Sequence, residues 1–340
     1  MFGQNPREIK SNLKTKKLVW EEEKPIRWSY LKILREHSDL KQEFPELNPY
    51  VESYKMRDNL FCLYTESLDG AGDPWMYLIV GPKKALLIDT GFGLGDLKAL
   101  CNHLSENKEL IVVNTHAHFD HAYGNGQFDL VYCHEAEVSN LEQKNNPDIW
   151  NYLFDKETGK PLFTDFDRRD LISPKHYEIH GIPDGYEFDL GDGYIVEAVH
   201  IPGHTSGQCA YYDRRNKTIF IGDVTGIGSA PKGHPYRDFY TVEAMYDALK
   251  RLKPRFPEIN GVFPGHGMID LTNSYLQYLL NCTESILRNP SWYDDSKIVE
   301  RWGNVRSIYF KNIHQGTSIR YSEDSIYKSL NSSFEKKSVK

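Results

Sequence analysis

The 340-residue sequence contains no apolar run approaching the roughly 18–20 residues needed to cross a bilayer, which argues against a membrane span. Its N-terminus, MFGQNPREIKSNLKTKK, lacks the apolar segment of a secretory signal, so a cytoplasmic address is expected. Basic residues are in deficit: 41 Lys and Arg against 48 Asp and Glu give a net charge of −7, the wrong sign for a protein that coats nucleic acid. The five cysteines (Cys62, Cys101, Cys133, Cys209 and Cys282) are scattered, odd in number and without a CxxC pair. That fits reduced thiols packed as small hydrophobes and not a disulfide framework. The chain is nevertheless 39% hydrophobic and 13% aromatic, enough for a sizeable core.

Residues 1–57 are charged, contain WEEEKPIRW and show no clean strand alternation, so they read as an N-terminal extension packed on a core at 58–290. The runs NLFCLYTE, PWMYLIV and KALLIDTG, separated by turn residues, predict an antiparallel meander. Leu97, Leu100 and Leu104 have helical spacing and precede the β-type run ELIVVNT. A helix over 135–143 follows, then an aromatic-rich insertion at 144–186. Three further strands come next (YIVEAVHIPG, CAYYD, KTIFIGD), and then helices over 241–252 and 273–287 flanking GVFPGHG. This order suits an α/β (α+β) four-layer αββα sandwich, two mixed sheets face to face with helices outside. Residues 291–340 are polar and charged, a C-terminal extension whose end, FEKKSVK, is expected to fray.

The densest chemistry lies in THAHFDHAYGNGQF, where His116, His118, Asp120 and His121 share six positions. On extended backbone residues i and i+2 project to one side, so His116 and His118 can converge on one ion just past a strand. Asp120 and His121 follow where the chain should turn toward Gly124 and Gly126, and can point to a second position. Imidazole and carboxylate suit zinc, iron or manganese. His204 in IPGHTSG, Asp223 in IFIGDV and His266 in VFPGHG each follow an apolar run and sit beside glycine, on tight loops at a sheet edge.

Taken in order, THAHFDH, PGHTSG, GD and PGHG resemble the motifs of the metallo-β-lactamase superfamily, and LLIDTG places Asp89 where that family has a structural aspartate. The resemblance covers about residues 58–270. It implies that His116, His118 and His204 hold a first metal and Asp120, His121 and His266 a second, with Asp223 bridging. Two divalent ions, Zn2+ first with iron or manganese as alternatives, would share a hydroxide that attacks a carbonyl or phosphoryl centre. Asp120 would act as the catalytic side chain by orienting it. Asp223 stands where many β-lactam-opening members have cysteine, so the chain is closer to the glyoxalase II, lactonase and phosphodiesterase branches. His118 stands where flavodiiron proteins carry glutamate.

The expected function is therefore metal-dependent hydrolysis of an ester, thioester or lactone. The alternatives are a single-iron persulfide dioxygenase, a phosphodiesterase or nuclease, and a non-catalytic metal-binding protein. Tyr123 within the metal loop, and His234, Tyr236 and Arg237 in the loop after Asp223, are candidate pocket residues. The insertion, with Trp150, Tyr152, Phe154, Phe163 and Phe166, either covers the pocket or packs onto the sheets. The expected partner is a small-molecule substrate. Pocket closure or a homodimer would account for the N-terminal residues.

Overall fold

The computed structural model describes residues 9–17, 30–146, 148–173, 175–230, 233–301, 304–314 and 317–328. WEEEKPIRW and FEKKSVK lie outside the described residues. In chain order the strands and helices are β1 (Lys16–Lys17), α1 (Tyr30–His37), β2 (Lys41–Glu43), β3 (Glu52–Arg57), β4 (Leu60–Tyr64), β5 (Trp75–Val80), β6 (Lys84–Ile88), α2 (Leu97–Leu104), β7 (Glu109–Val113), α3 (Phe119–Ala122), β8 (Leu130–His134), α4 (Val138–Glu142), β9 (Thr164–Asp165) and β10 (Glu178–Ile182). They continue with β11 (Glu187–Asp189), β12 (Ile195–His200), β13 (Cys209–Asp213), β14 (Thr218–Gly222), α5 (Val242–Leu252), β15 (Gly261–Pro264), α6 (Ser274–Arg288), β16 (Asp295–Arg301), β17 (Asn304–His314) and β18 (Thr317–Tyr321).

Eight strands form one sheet in the order β10-β8-β7-β6-β5-β4-β3-β2, and five form a second in the order β11-β12-β13-β14-β15. Both are mixed: β2 to β6 pair antiparallel while β6, β7, β8 and β10 run parallel, and in the second sheet only β14 and β15 are parallel. Side-chain alternation divides each strand between two cores. Leu60, Cys62 and Tyr64 of β4 and Trp75, Tyr77 and Ile79 of β5 meet Tyr211, Phe220 and Phe263 between the sheets. The alternate residues Phe61, Leu63, Met76 and Leu78 meet Leu97, Leu100 and Cys101 of α2 outside. On the far side Ile219, Ile221 and Val262 meet Met245 and Leu249 of α5 and Leu276 and Leu279 of α6. The layer order is therefore αββα, as expected.

Three boundaries differ from the sequence reading. The N-terminal segment 1–57 is not wholly outside the core, because β2 and β3 are the last two strands of the eight-stranded sheet. ESYKMR does not read as a strand because it carries Glu52, yet Glu52 is buried and both its oxygens accept from Arg35 of α1, at 2.8 and 3.1 Å. Arg35 also reaches Glu66 at 3.2 Å, so a bidentate buried ion pair fastens α1 to the sheet. The insertion 144–186 includes β10, which pairs parallel with β8. The C-terminal extension is a three-stranded antiparallel meander, β16-β17-β18, with Ile308, Ile319 and Tyr321 buried. Ile319 and Tyr321 pack in one cluster with residues of α6, while polar and charged residues alternate with apolar ones along all three strands, which hides the meander in composition.

Candidate metal centre

The strands β7, β12, β14 and β15 all deliver candidate ligands from their C-terminal ends, at one rim of the sandwich. Past β7 the chain bends at Thr115 and is extended at His118, and the ring nitrogens His116 Nε2 and His118 Nδ1 come within 3.0 Å. His204 Nε2, from the loop after β12, lies 2.9 Å from the same His118 nitrogen. Asp120 and His121 follow on the one-turn helix α3, and His121 Nε2 lies 3.2 Å from His266 Nε2. Asp120 Oδ2 is 3.0 Å from His266 Nε2, and Asp223 reaches His204, His121 and His266 at 3.6, 3.6 and 3.3 Å. The seven side chains singled out in the sequence are thus brought together.

They fall into three overlapping groups, His116/His118/His204, His116/His121/Asp223 and Asp120/His121/His266, with ligand atoms in each within 4.8 Å of one another. A tetrahedral ion with bonds of about 2.0–2.1 Å sets its ligand atoms roughly 3.3 Å apart, close to these spacings. A second observation tests the fit. Asp223 Oδ1 is buried with no hydrogen-bond partner among the described residues, a costly state for a carboxylate oxygen unless a cation meets it.

The outer nitrogens of four histidines are held by acceptors, which fixes the tautomer and turns each Nε2 lone pair inward. His121 Nδ1 donates to Asp89 at 2.9 Å, His204 Nδ1 to the Gly226 carbonyl at 2.6 Å and His266 Nδ1 to the Asp73 carbonyl at 3.0 Å. His116 Nδ1 lies 3.0 Å from Thr115 Oγ1, which in turn donates to Asp89. Asp89, at φ 63°, also accepts from Thr115 N at 2.7 Å. This structural role is the one that LLIDTG implied.

Burial opposes charge on every one of these groups, and their neighbours decide the outcome. The pKa of His116 falls well below normal through burial and then through the facing His121, and His118 is lowered to about 3 by burial and His204. His121 stands well above normal despite its burial because Asp120, Asp223 and Asp89 surround it. Burial opposes ionisation of Asp120 too, but His121 and His266 hold its carboxyl well below the usual range. His116, His118 and His204 are thus held neutral, whereas at His266 Asp223 and then Asp120 outweigh burial and raise the pKa to about 10.

Close approach explains two glycines of the motifs. A Cβ on Gly265 would lie 2.4 Å from Asp223 Oδ1 and 2.9 Å from His121 Cε1. Gly222, at φ 53°, would bring a Cβ within 2.4 Å of Gln208 Nε2.

Among the candidate pocket residues, Tyr123 packs on Phe119 and Trp150, its pKa pushed up to about 12 by burial and then by Asp120. The other three make contacts elsewhere. Arg237 donates to the carbonyls of Lys328 and Asp324, Tyr236 stacks on Phe239, and His234 meets Tyr240 edge-on. The loop turns back onto the C-terminal segment, so following Asp223 in sequence does not place its side chains at the ligands. In the insertion, Trp150, Phe154 and Phe166 are core, with Trp150 Nε1 donating to the Phe92 carbonyl at 2.8 Å. Tyr152, half-exposed, packs on Phe119 beside the metal loop.

Glu137 escaped the sequence reading. Wholly buried between the two ligand loops, it accepts from Ala117 N at 2.9 Å, Thr205 Oγ1 at 2.9 Å and Gly207 N at 2.8 Å. Asn114 and Asn125 also went unnoticed; they exchange amide hydrogen bonds at 2.8 and 3.1 Å behind the turn carrying His121. Only the polar residues' position next to a metal loop could have signalled either.

His134 and His200 stack at 3.7 Å with an interplanar angle of 8°. Burial and then the partner ring lower His134 to about 3, and burial lowers His200. The unfolded chain therefore takes up the proton first. Stability present above about pH 6.5 is expected to fall as pH drops toward the folded value, by about 1.4 kcal/mol per pH unit for His134. In His134→Asn, whose carbonyl can still accept from Ala136 N, urea unfolding of metal-free protein between pH 7.5 and 4.5 should show that part of the slope removed. An unchanged slope would count against the neutral pair.

Comparisons with known proteins show the family. The metallo-beta-lactamase superfamily model matches residues 69–266. The acyl-coenzyme A thioesterase MBLAC2 of Homo sapiens is 28% identical over 220 residues, covering 62% of this chain and 78% of the relative. A hydroxyacylglutathione hydrolase of Pelagibacter ubique is 25% identical over 202 residues, covering 57% and 66%. Among solved structures, the DIM-1 metallo-beta-lactamase exposed to ceftazidime is 19% identical, covers 70% of this chain and 98% of its own, and has a TM-score of 0.49, which adds nothing to the layer order seen in the chain itself. With more than half of its length matched by the family model, the chain belongs to the metallo-beta-lactamase superfamily of metallo-hydrolases.

Proposed function

We propose that the protein hydrolyses thioesters of small molecules at a centre for two divalent ions, Zn2+ being the first choice. One observation carries the reading: three overlapping His/Asp groups lie together, and one of them includes Asp223, whose buried Oδ1 has no hydrogen-bond partner among the described residues. The relatives' names, a coenzyme A thioesterase and a hydroxyacylglutathione hydrolase, favour an acyl group carried on a thiol over a lactone, phosphodiester or β-lactam. When bound, divalent ions supply Lewis acidity, acidifying a water and polarising the scissile carbonyl.

His116, His118 and His204 would hold one ion, and Asp120, His121 and His266 the other, with Asp223 shared. Asp120, held ionised by His121 and His266, suits accepting a hydrogen bond from the attacking water and orienting it. The assembled second group favours two ions over a single iron, which would leave Asp120 and His266 unused. All five cysteines are free and buried, which fits the reducing cytoplasm.

Metal analysis of purified protein should find two equivalents per chain. A panel of thioesters, lactones, phosphodiesters and β-lactams, assayed in zinc, manganese and iron forms, should be led by thioesters. One iron per chain with oxygen uptake on a persulfide would sink this reading.

A further inference from the structure

A cavity of about 420 Å³ opens directly from the ligands Asp223 and His266. Its walls are the N-terminal half of α6, through Tyr275 and Tyr278, the approach to that helix, through Met268 and Leu271, and the ends of β17 and β18, through His314 and Thr317. Tyr278 and His314 face each other with ring centroids 4.6 Å apart, so helix and meander close one wall together. The meander is also tied to the centre. Arg320 of β18 donates its N–H to the Thr225 carbonyl at 2.9 Å and accepts from Ile227 N at 2.7 Å, clamping the turn whose Gly226 carbonyl orients His204.

The lining decides which part of a thioester could enter. Among the described residues it contains no lysine and no arginine, the side chains that pair most strongly with the phosphates of coenzyme A or the carboxylates of glutathione. Val224, Leu271, Met268 and the two tyrosines offer apolar surface instead. Burial and then the charge of Asp223 push the Tyr275 hydroxyl up to about 12, so it stays protonated beside the metal ligands.

We propose that this cavity is the acyl pocket, that the C-terminal meander sets its length through Thr317, and that it selects an uncharged apolar acyl chain of medium length. The inference rests on the thioesterase reading. At roughly 30 Å³ per heavy atom, 420 Å³ holds on the order of ten to fourteen atoms, so chains of about eight to twelve carbons should fit best.

The test is a series of acetyl-, decanoyl- and palmitoyl-coenzyme A with the metal-loaded full chain. The wild type should favour decanoyl. Thr317→Trp, which fills the cavity, should raise KM for decanoyl at least about tenfold more than KM for acetyl. Tyr278→Ala, on the exposed side of α6, should shift the optimum toward longer chains, and it serves if the tryptophan variant does not fold. Calorimetry with a non-hydrolysable decanoyl thioether gives a readout free of turnover and should lose affinity by the same factor in Thr317→Trp. If thioesters are cleaved but neither folded variant moves the chain-length profile or the thioether affinity, the pocket assignment fails while the thioesterase reading stands. If no thioester is cleaved while another ester of the panel is, both fail.

Discussion

Replacing His118 by alanine is expected to cut turnover by about a thousandfold or more while leaving the fold intact. Its Nδ1 is the atom that both His116 and His204 face, at 3.0 and 2.9 Å, so its loss would leave the proposed first ion position with two of its three nitrogens. Losing the Lewis acid and the activated water it supplies costs several kcal/mol of transition-state stabilisation, and about 1.4 kcal/mol is a factor of ten. The fold should survive because the His118 carbonyl, not its ring, accepts from His121 N and Ala122 N at the start of α3, and alanine keeps that carbonyl. In metal-free protein the ring is a burden, since burial and the facing His204 lower its pKa to about 3. Metal-free His118→Ala should therefore melt at or above metal-free wild type near pH 6, with zinc-loaded wild type above both. Steady-state kinetics, metal content and melting of the two forms check this together. A variant with wild-type turnover at reduced metal content would show that the first ion position is not where the chemistry occurs.

The convergence of the candidate ligands was legible because they sit where the fold turns. His204, Asp223 and His266 each end an apolar run and neighbour a glycine, and β12, β14 and β15 each end just before them. The HxHxDH loop follows β7 in the same way. Their convergence is a consequence of topology, since four strands of two facing sheets end at one rim. Strands buried on both faces, such as β4 and β14, also read correctly, because every residue is apolar or small. Edge and half-exposed strands did not. EIHGI of β10 and EFD of β11 are short, and each has only one buried residue. β16 to β18 alternate charge with apolar side chains, so composition alone reads them as an extension. The loop after Asp223 misled for the opposite reason. Its His234, Tyr236 and Arg237 are chemically suited to a pocket, but nothing local reveals that Arg237 turns toward Asp324 and Lys328. Glu137 shows the same limit: its partners Ala117, Thr205 and Gly207 lie 20, 68 and 70 residues away.

Glu137→Ala is expected to destabilise the protein by about 3–5 kcal/mol and to weaken metal binding about 10- to 100-fold, although Glu137 touches no candidate ion position. One carboxylate oxygen accepts from Ala117 N, between His116 and His118, and the other from Thr205 Oγ1 and Gly207 N, just after His204. The side chain thus fixes the spacing of the two loops that supply the first group of ligands. Burial raises its pKa against these hydrogen bonds, so the carboxylate is held at a desolvation cost that its donors offset. Truncation leaves two buried backbone N–H groups unpaired, at about 1–3 kcal/mol each, and frees the loops to separate. Glu137→Gln is the diagnostic partner. Its amide oxygen can accept from Gly207 N and Thr205 Oγ1, but its NH2 then meets Ala117 N, donor against donor. Glutamine should consequently cost about 1–3 kcal/mol and recover only part of the metal affinity. Urea unfolding and competitive chelator titration of both variants measure the two effects separately. If Glu137→Ala lost stability but bound zinc like the wild type, Glu137 would be a packing residue with no hold on the ligand geometry.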